Sequence, residues 1–139
     1  MKEKRVILVV EDEPDVRLLL KRRLEAHHFD VLEAPDGAAA IVRVKETPPD
    51  LVVMDLRLPG QDGLQVYQAL REQEATRQTP VLFLTALSYG DTMTDEGLAL
   101  IASRKHGITL DEHCAVLGKP YEPRQLIERI ERLLKGQTP

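Results

Sequence analysis

"LVVMDLRLPG" (residues 51–60) is an apolar run that ends in one carboxylate, Asp55, followed by Arg57, Pro59 and Gly60. The run reads as a buried strand, and a charge at the end of such a strand is not there for packing. Pro59 and Gly60 are turn formers, so the chain leaves the strand just after Asp55.

Short β-rich runs alternate with longer helical patterns along the chain. "RVILVV" (5–10) is a continuous apolar run, as expected of a strand buried on both faces. "DVLEA" (30–34), "DLVVMD" (50–55), "PVLFLT" (80–85) and "CAVLG" (114–118) are the other expected strands. After "EDEP", Val16, Leu19, Leu20 and Leu24 recur at helical spacing, with Pro14 suited to the first turn. Asp36 is positioned to cap "GAAAIVRVK", with Ala38, Ile41 and Val42 as its expected apolar face. Thr47-Pro48-Pro49 breaks that helix. Residues 63–74 form the third expected helix, and "MTDEGLALIASRKHG" (93–107) contains the fourth. "ITLDEH" reads as a loop or a short extra turn. The last helix places Leu126, Ile127, Ile130, Leu133 and Leu134 on one stripe after Pro123, and "GQTP" reads as a frayed tail.

Five strand-then-helix units imply an α/β fold with a doubly wound parallel sheet and right-handed crossovers. The 139 residues suit one domain, 1–139, with its core at about 4–135. With 42% hydrophobic and 30% charged residues, a soluble protein is expected. The net charge is -4 with scattered Lys and Arg, which argues against direct nucleic-acid binding. No apolar run approaches the roughly 18 residues of a membrane span. "EDEPD" follows the first apolar run where a signal peptide would have small residues, so a cytoplasmic location is expected. The single cysteine, Cys114, reads as a small buried strand residue. His106, His113 and Cys114 lack a metal-ligand spacing, and His27 and His28 read as surface residues near a helix end.

In such sheets ligands bind at the carboxyl ends of the strands. Glu11 and Asp12 end the first strand, Asp55 the third and Thr85 the fourth, and Lys119-Pro120 follow the fifth. Three carboxylates brought together resist ionisation unless a cation neutralises them. Hard oxygen ligands with water and phosphate suit Mg2+ or a similar divalent ion. Lysine and threonine are donors for phosphoryl oxygens, and a central carboxylate can attack phosphorus to form an acyl phosphate.

The motifs "VVEDEP", "VVMDLRLPGQDG", "LFLTA" and "LGKPYEP" resemble, in order and over nearly the whole chain, the receiver domains of two-component response regulators. The resemblance implies a flavodoxin-like (βα)5 fold with strand order 2-1-3-4-5. It implies that Asp55 is the phosphoacceptor. Asp12, Asp55 and the backbone carbonyl of Arg57 would bind Mg2+ (or Mn2+), and Glu11 would act through a metal-bound water. Thr85, the backbone amide of Ala86 and Lys119 would contact the phosphoryl group. The bond to Pro120 would be cis, and Gly63 would shape the loop over the site.

Two features depart from the family. Val116 stands where the family has a switch aromatic, three residues before the lysine, and Tyr89 is a possible substitute. The segment between Thr85 and Lys119 is about a dozen residues longer than usual, which implies a remodelled region around the fourth helix. The expected function is a stand-alone phosphorylation-dependent switch of a two-component phosphorelay, not an enzyme beyond its own phosphoryl transfer and dephosphorylation. Its expected partners are a histidine kinase or phosphotransfer protein and a downstream protein, with the switch a monomer or weak homodimer. The alternative is a receiver-like docking module that no longer switches. An aspartyl phosphatase is disfavoured, because Arg57 occupies the place of its second carboxylate.

Overall fold

The computed structural model describes residues 4–86 and 94–136. Its elements follow in strict alternation: β1 (Val6–Val10), α1 (Pro14–Ala26), β2 (Asp30–Ala34), α2 (Gly37–Glu46), β3 (Leu51–Asp55), α3 (Gly63–Arg71), β4 (Val81–Thr85), α4 (Asp95–His106), β5 (Cys114–Gly118) and α5 (Pro123–Lys135). The five strands pair in parallel in the order β2-β1-β3-β4-β5, the flavodoxin-like arrangement. No helix among the described residues is long and apolar enough to cross a membrane.

Successive side chains of a strand point to opposite faces, so a continuous apolar run feeds two cores. Leu8, Val10, Val52, Met54, Phe83 and Val116 pack beneath α2, α3 and α4. Ile7, Val9, Val53, Leu82, Leu84 and Leu117 pack beneath α1 and α5. Each fully buried aliphatic side chain contributes about 1.5–3 kcal/mol of transfer free energy. The whole stripe expected on α5 is buried or half-buried, with Leu133 at its margin. β3 therefore has an apolar neighbour on every side until Asp55, where the sheet ends.

Several helix readings need correction. Leu19 of α1 is 48% exposed, whereas Leu20 and Leu24 are buried. On α2 the buried face is Gly37, Ala40 and Val44, while Ala38 is exposed and Val42 is 58% exposed. Close approach to α3 sets this face: a Cβ at Gly37 would come within 2.5 Å of Val66 Cγ2. Asp36 does cap α2, its carboxylate accepting from the Ala39 amide at 2.8 Å. α3 ends at Arg71, and a separate 3-10 turn follows at Glu74–Thr76. The Thr76 hydroxyl donates to the Leu70 carbonyl at 2.6 Å, satisfying a terminal helix carbonyl that a longer helix would have used.

α4 has Thr94 as a side-chain cap and Gly107 in the left-handed region at its end. Residues 108–113 form a loop with a turn before β5, and Arg71 of α3 pairs with Asp111 of that loop at 2.6 Å. Cys114 is half-buried rather than buried, and its thiol donates to the Asp111 carbonyl. Tyr89 and the rest of residues 87–93, part of the segment in which the enlargement is expected, lie outside the described residues, as does the tail beyond Gly136. His27 and His28 are exposed at the end of α1.

Candidate functional site

Asp55 is the last residue of β3, and its side chain is only 15% exposed. One oxygen, Oδ1, accepts from the Arg57 backbone amide at 2.8 Å. The other, Oδ2, accepts from Lys119 Nζ at 2.9 Å. Lys119 is held in turn, because its backbone amide donates to the Thr85 carbonyl at 2.7 Å. The Lys119–Pro120 peptide is cis. Burial pulls the Lys119 ammonium down, but the Asp55 and Glu11 carboxylates outweigh it and leave its pKa raised.

The loop after Asp55 is compact. Gly63 N donates to the Leu56 carbonyl at 2.7 Å, and Arg57 and Asp62 form an isolated antiparallel bridge. A Cβ at Gly63 would lie 2.7 Å from the Asp55 carbonyl oxygen, so only glycine allows the start of α3 to sit against the strand end. Asp62 caps α3, its Oδ1 accepting from the Gln65 amide at 3.0 Å while Gln65 bonds back to the Asp62 amide.

Glu11 is 3% exposed, just past β1. Its Oε1 accepts from the Glu13 amide at 3.2 Å, while Oε2 is buried without a hydrogen-bond partner. Burial, reinforced by the Asp55 carboxylate nearby, pushes the Glu11 pKa up to about 7. Asp12 is exposed. Among the described residues, no three His, Cys, Asp or Glu side chains are gathered closely enough to hold a metal by themselves. The expected trio of carboxylates is thus a buried Glu11 beside a half-buried Asp55, with Asp12 exposed. Such an arrangement still suits Mg2+, which keeps several waters and needs only one or two protein carboxylates. The orphaned Glu11 oxygen and the proton-retaining Glu11 carboxyl are what a cation or its water would relieve.

Thr85 is buried at the end of β4, opposite Gly118 in the register, and Ala86 is exposed just beyond it. Val116 is buried in the core beneath α4. Its amide donates to Asp95 Oδ1 at 2.9 Å, and its carbonyl accepts from Arg129 Nη1 at 2.8 Å. These two side chains close the outward backbone groups of β5, an edge strand.

Sequence reasoning missed the groups that hold the acidic turn. Arg17 Nη1 donates to the Glu11 carbonyl at 2.8 Å, and Arg17 Nε pairs with Glu33 at 3.3 Å. It also missed the contact of Asp62 with His106, where Nε2 and Oδ2 are 2.7 Å apart. An arginine one turn into the helix after the acidic pair was a weak signal for the first; nothing local signalled the second.

A family model described as the response regulator receiver domain matches residues 7–131. The transcriptional regulatory protein ResD of Bacillus subtilis (strain 168) is 35% identical over 129 residues, which are 93% of this chain and 48% of ResD. PhoB of Escherichia coli (strain K12), the phosphate regulon transcriptional regulatory protein, is 33% identical over 135 residues, 97% of this chain and 54% of PhoB. The chain thus spans about half the length of the curated relatives it matches. Among solved structures, the receiver domain of the sensor histidine kinase PA1611 from Pseudomonas aeruginosa PAO1 is 25% identical with a TM-score of 0.77. The match covers 96% of this chain and 99% of that one, whose structure has a magnesium ion coordinated in the active-site cleft.

Proposed function

The chain belongs to the response regulator receiver domain family, and from that premise we propose that it is a phosphorylation-dependent switch with Asp55 as its phosphoacceptor. The observation that carries this reading is the setting of Asp55: a carboxylate at the end of a buried strand, held by the Arg57 amide and Lys119, beside a buried Glu11 with an unsatisfied oxygen.

The donor would be a phosphohistidine on a histidine kinase or phosphotransfer protein. An Asp55 oxygen attacks phosphorus, the P–N bond breaks, and the imidazole leaves with the electron pair and takes up a proton. Two fixed donors on Asp55 orient the carboxylate for in-line attack. Lys119 is charged and within reach of the phosphoryl oxygens, with Thr85 and the Ala86 amide as further donors from the end of β4. Hydrolysis of the aspartyl phosphate resets the switch, so the only chemistry is the domain's own phosphoryl transfer and dephosphorylation.

Asp12, Asp55, the Arg57 carbonyl and, through water, Glu11 are the groups that would hold Mg2+ or Mn2+. Bound there, a divalent cation neutralises the clustered carboxylates and the charge developing on the phosphoryl oxygens. The magnesium ion in the PA1611 receiver domain supports this assignment. The switch is assigned to the cytoplasm, where kinase and Mg2+ are both at hand, and its output to a protein contact rather than to direct nucleic-acid binding by these residues.

Val116 favours a second reading, a docking module that keeps the fold without switching, because the usual aromatic is missing. Acetyl phosphate with Mg2+ separates the two. The switch takes up one phosphoryl group, and Asp55→Asn does not. Robust labelling of Asp55→Asn would remove the role given to Asp55, and failure of the wild-type chain to label would favour the docking module.

A further inference from the structure

α4 packs on the sheet through two buried residues, Leu98 and Ala102, with Ile101 half-buried against the same core, and Leu100 on its outer face is 52% exposed. Its two ends are instead pinned by charged side chains. At the first turn Asp95 accepts from the Val116 amide. At the last residue His106 meets Asp62 at 2.7 Å, and Lys105 approaches the same oxygen at 3.9 Å. A carboxylate only accepts, so His106 Nε2 is the donor.

We propose that His106 is a positioning residue for the Asp55 site, acting through Asp62 to couple the end of α4 to the state of Asp55. The proposal rests on the reading of Asp55 given above. The links are contiguous: Asp55 Oδ1 accepts from the Arg57 amide, Arg57 pairs across the loop with Asp62, and Asp62 Oδ2 accepts from His106. The loop has little slack, because Gly63 sits against the Asp55 carbonyl and its amide is bonded to Leu56.

A phosphoryl group on Asp55 changes the acceptor that the Arg57 amide faces, and this bond is the first link of the chain. The Asp62 carboxylate is shared between the α3 cap and His106, so a shift of the loop alters one bond or the other. This gives α4 a connection to Asp55 that does not pass through the position held by Val116. Linkage makes it reciprocal: His106 bears on ligand binding at Asp55 as much as Asp55 bears on α4.

The test uses the full chain with Mg2+ and beryllofluoride, a phosphoryl mimic that binds aspartate, and reads hydrogen exchange of the α4 amides. In the wild-type protein, beryllofluoride changes exchange in the last turns of α4 by at least about fivefold. His106→Ala still takes up label from acetyl phosphate at residue 55, but its α4 loses most of that response. His106→Gln, whose amide nitrogen can donate to Asp62, restores it. A merely structural contact would lower the melting temperature of His106→Ala and leave the response intact. A wild-type-sized response in His106→Ala, or no response of α4 in labelled wild-type protein, overturns the coupling alone. Absence of any labelling of wild-type protein overturns the reading of Asp55, and this proposal with it.

Discussion

Asp50 and Asp55 lie at opposite ends of one strand and do opposite things. Asp50, just before β3, accepts from the Val6 amide at 2.7 Å and lies 4.0 Å from Arg5 at a half-exposed edge. It ties β1 to the start of β3. Asp55 is more buried, holds Lys119, and sits beside a second carboxyl group that retains its proton to about 7. The amino edge of the sheet uses its aspartate to close backbone bonds. The carboxyl edge accepts an electrostatic cost that a cation can relieve. Residue type alone does not separate these roles; the neighbours do.

Exchanging each carboxylate for its amide separates the two roles. Asp55→Asn has the largest expected effect: labelling by acetyl phosphate falls to background while cooperative thermal unfolding is retained. Intact-mass spectrometry with a thermal melt checks both, and a labelled variant would dissolve the contrast. Next, Glu11→Gln weakens Mg2+ binding roughly tenfold, the lower end of the range for groups that act through a metal's outer shell. Calorimetric titration of Mg2+ would show this, and unchanged affinity would remove Glu11 from the metal assignment.

The same residue sharpens the contrast through pH. Its folded pKa, about 7, lies above the ordinary 4.5, mainly because burial disfavours the charged form. The metal-free fold therefore binds this proton more tightly than the unfolded chain. The stabilisation is complete below about pH 4.5 and is lost as pH rises through about 7, on the order of 3 kcal/mol. Urea melts of wild type and Glu11→Gln in chelator should diverge across that window, and parallel curves would show that Glu11 is not buried as described. Asp50→Asn has the smallest effect, about 1 kcal/mol of stability with labelling unchanged, because only a partly exposed hydrogen bond is weakened. A labelling defect there would mean that the two ends are not separable.

Much of this was legible in the sequence because strand ends announce themselves. Apolar runs stopping at Glu11, Asp55, Thr85 and Lys119 gave both the sheet and its chemical edge. α5 was readable because its apolar residues repeat at helical spacing against charges. α2 was not: "GAAAIVRVK" offers small or apolar residues on every side, and the inward face was chosen by close approach of Gly37 to Val66. The Arg17–Glu33 and Asp62–His106 contacts were also out of reach. They join residues 16 and 44 positions apart and exist only once the strands and helices are in place. Asp12 shows the remaining gap, since its neighbour Glu11 turns inward while Asp12 stays exposed.

Asp55 is assigned as the one carboxylate that receives phosphate, with the help of a divalent cation. The most direct test is peptide-level mass spectrometry after acetyl phosphate treatment, with borohydride used to convert aspartyl phosphate to a stable alcohol. The expected result is a single modified position, residue 55, in the presence of Mg2+ and none in chelator. Modification at Asp12 or Glu11, or equal modification at residue 55 without a divalent ion, would contradict it.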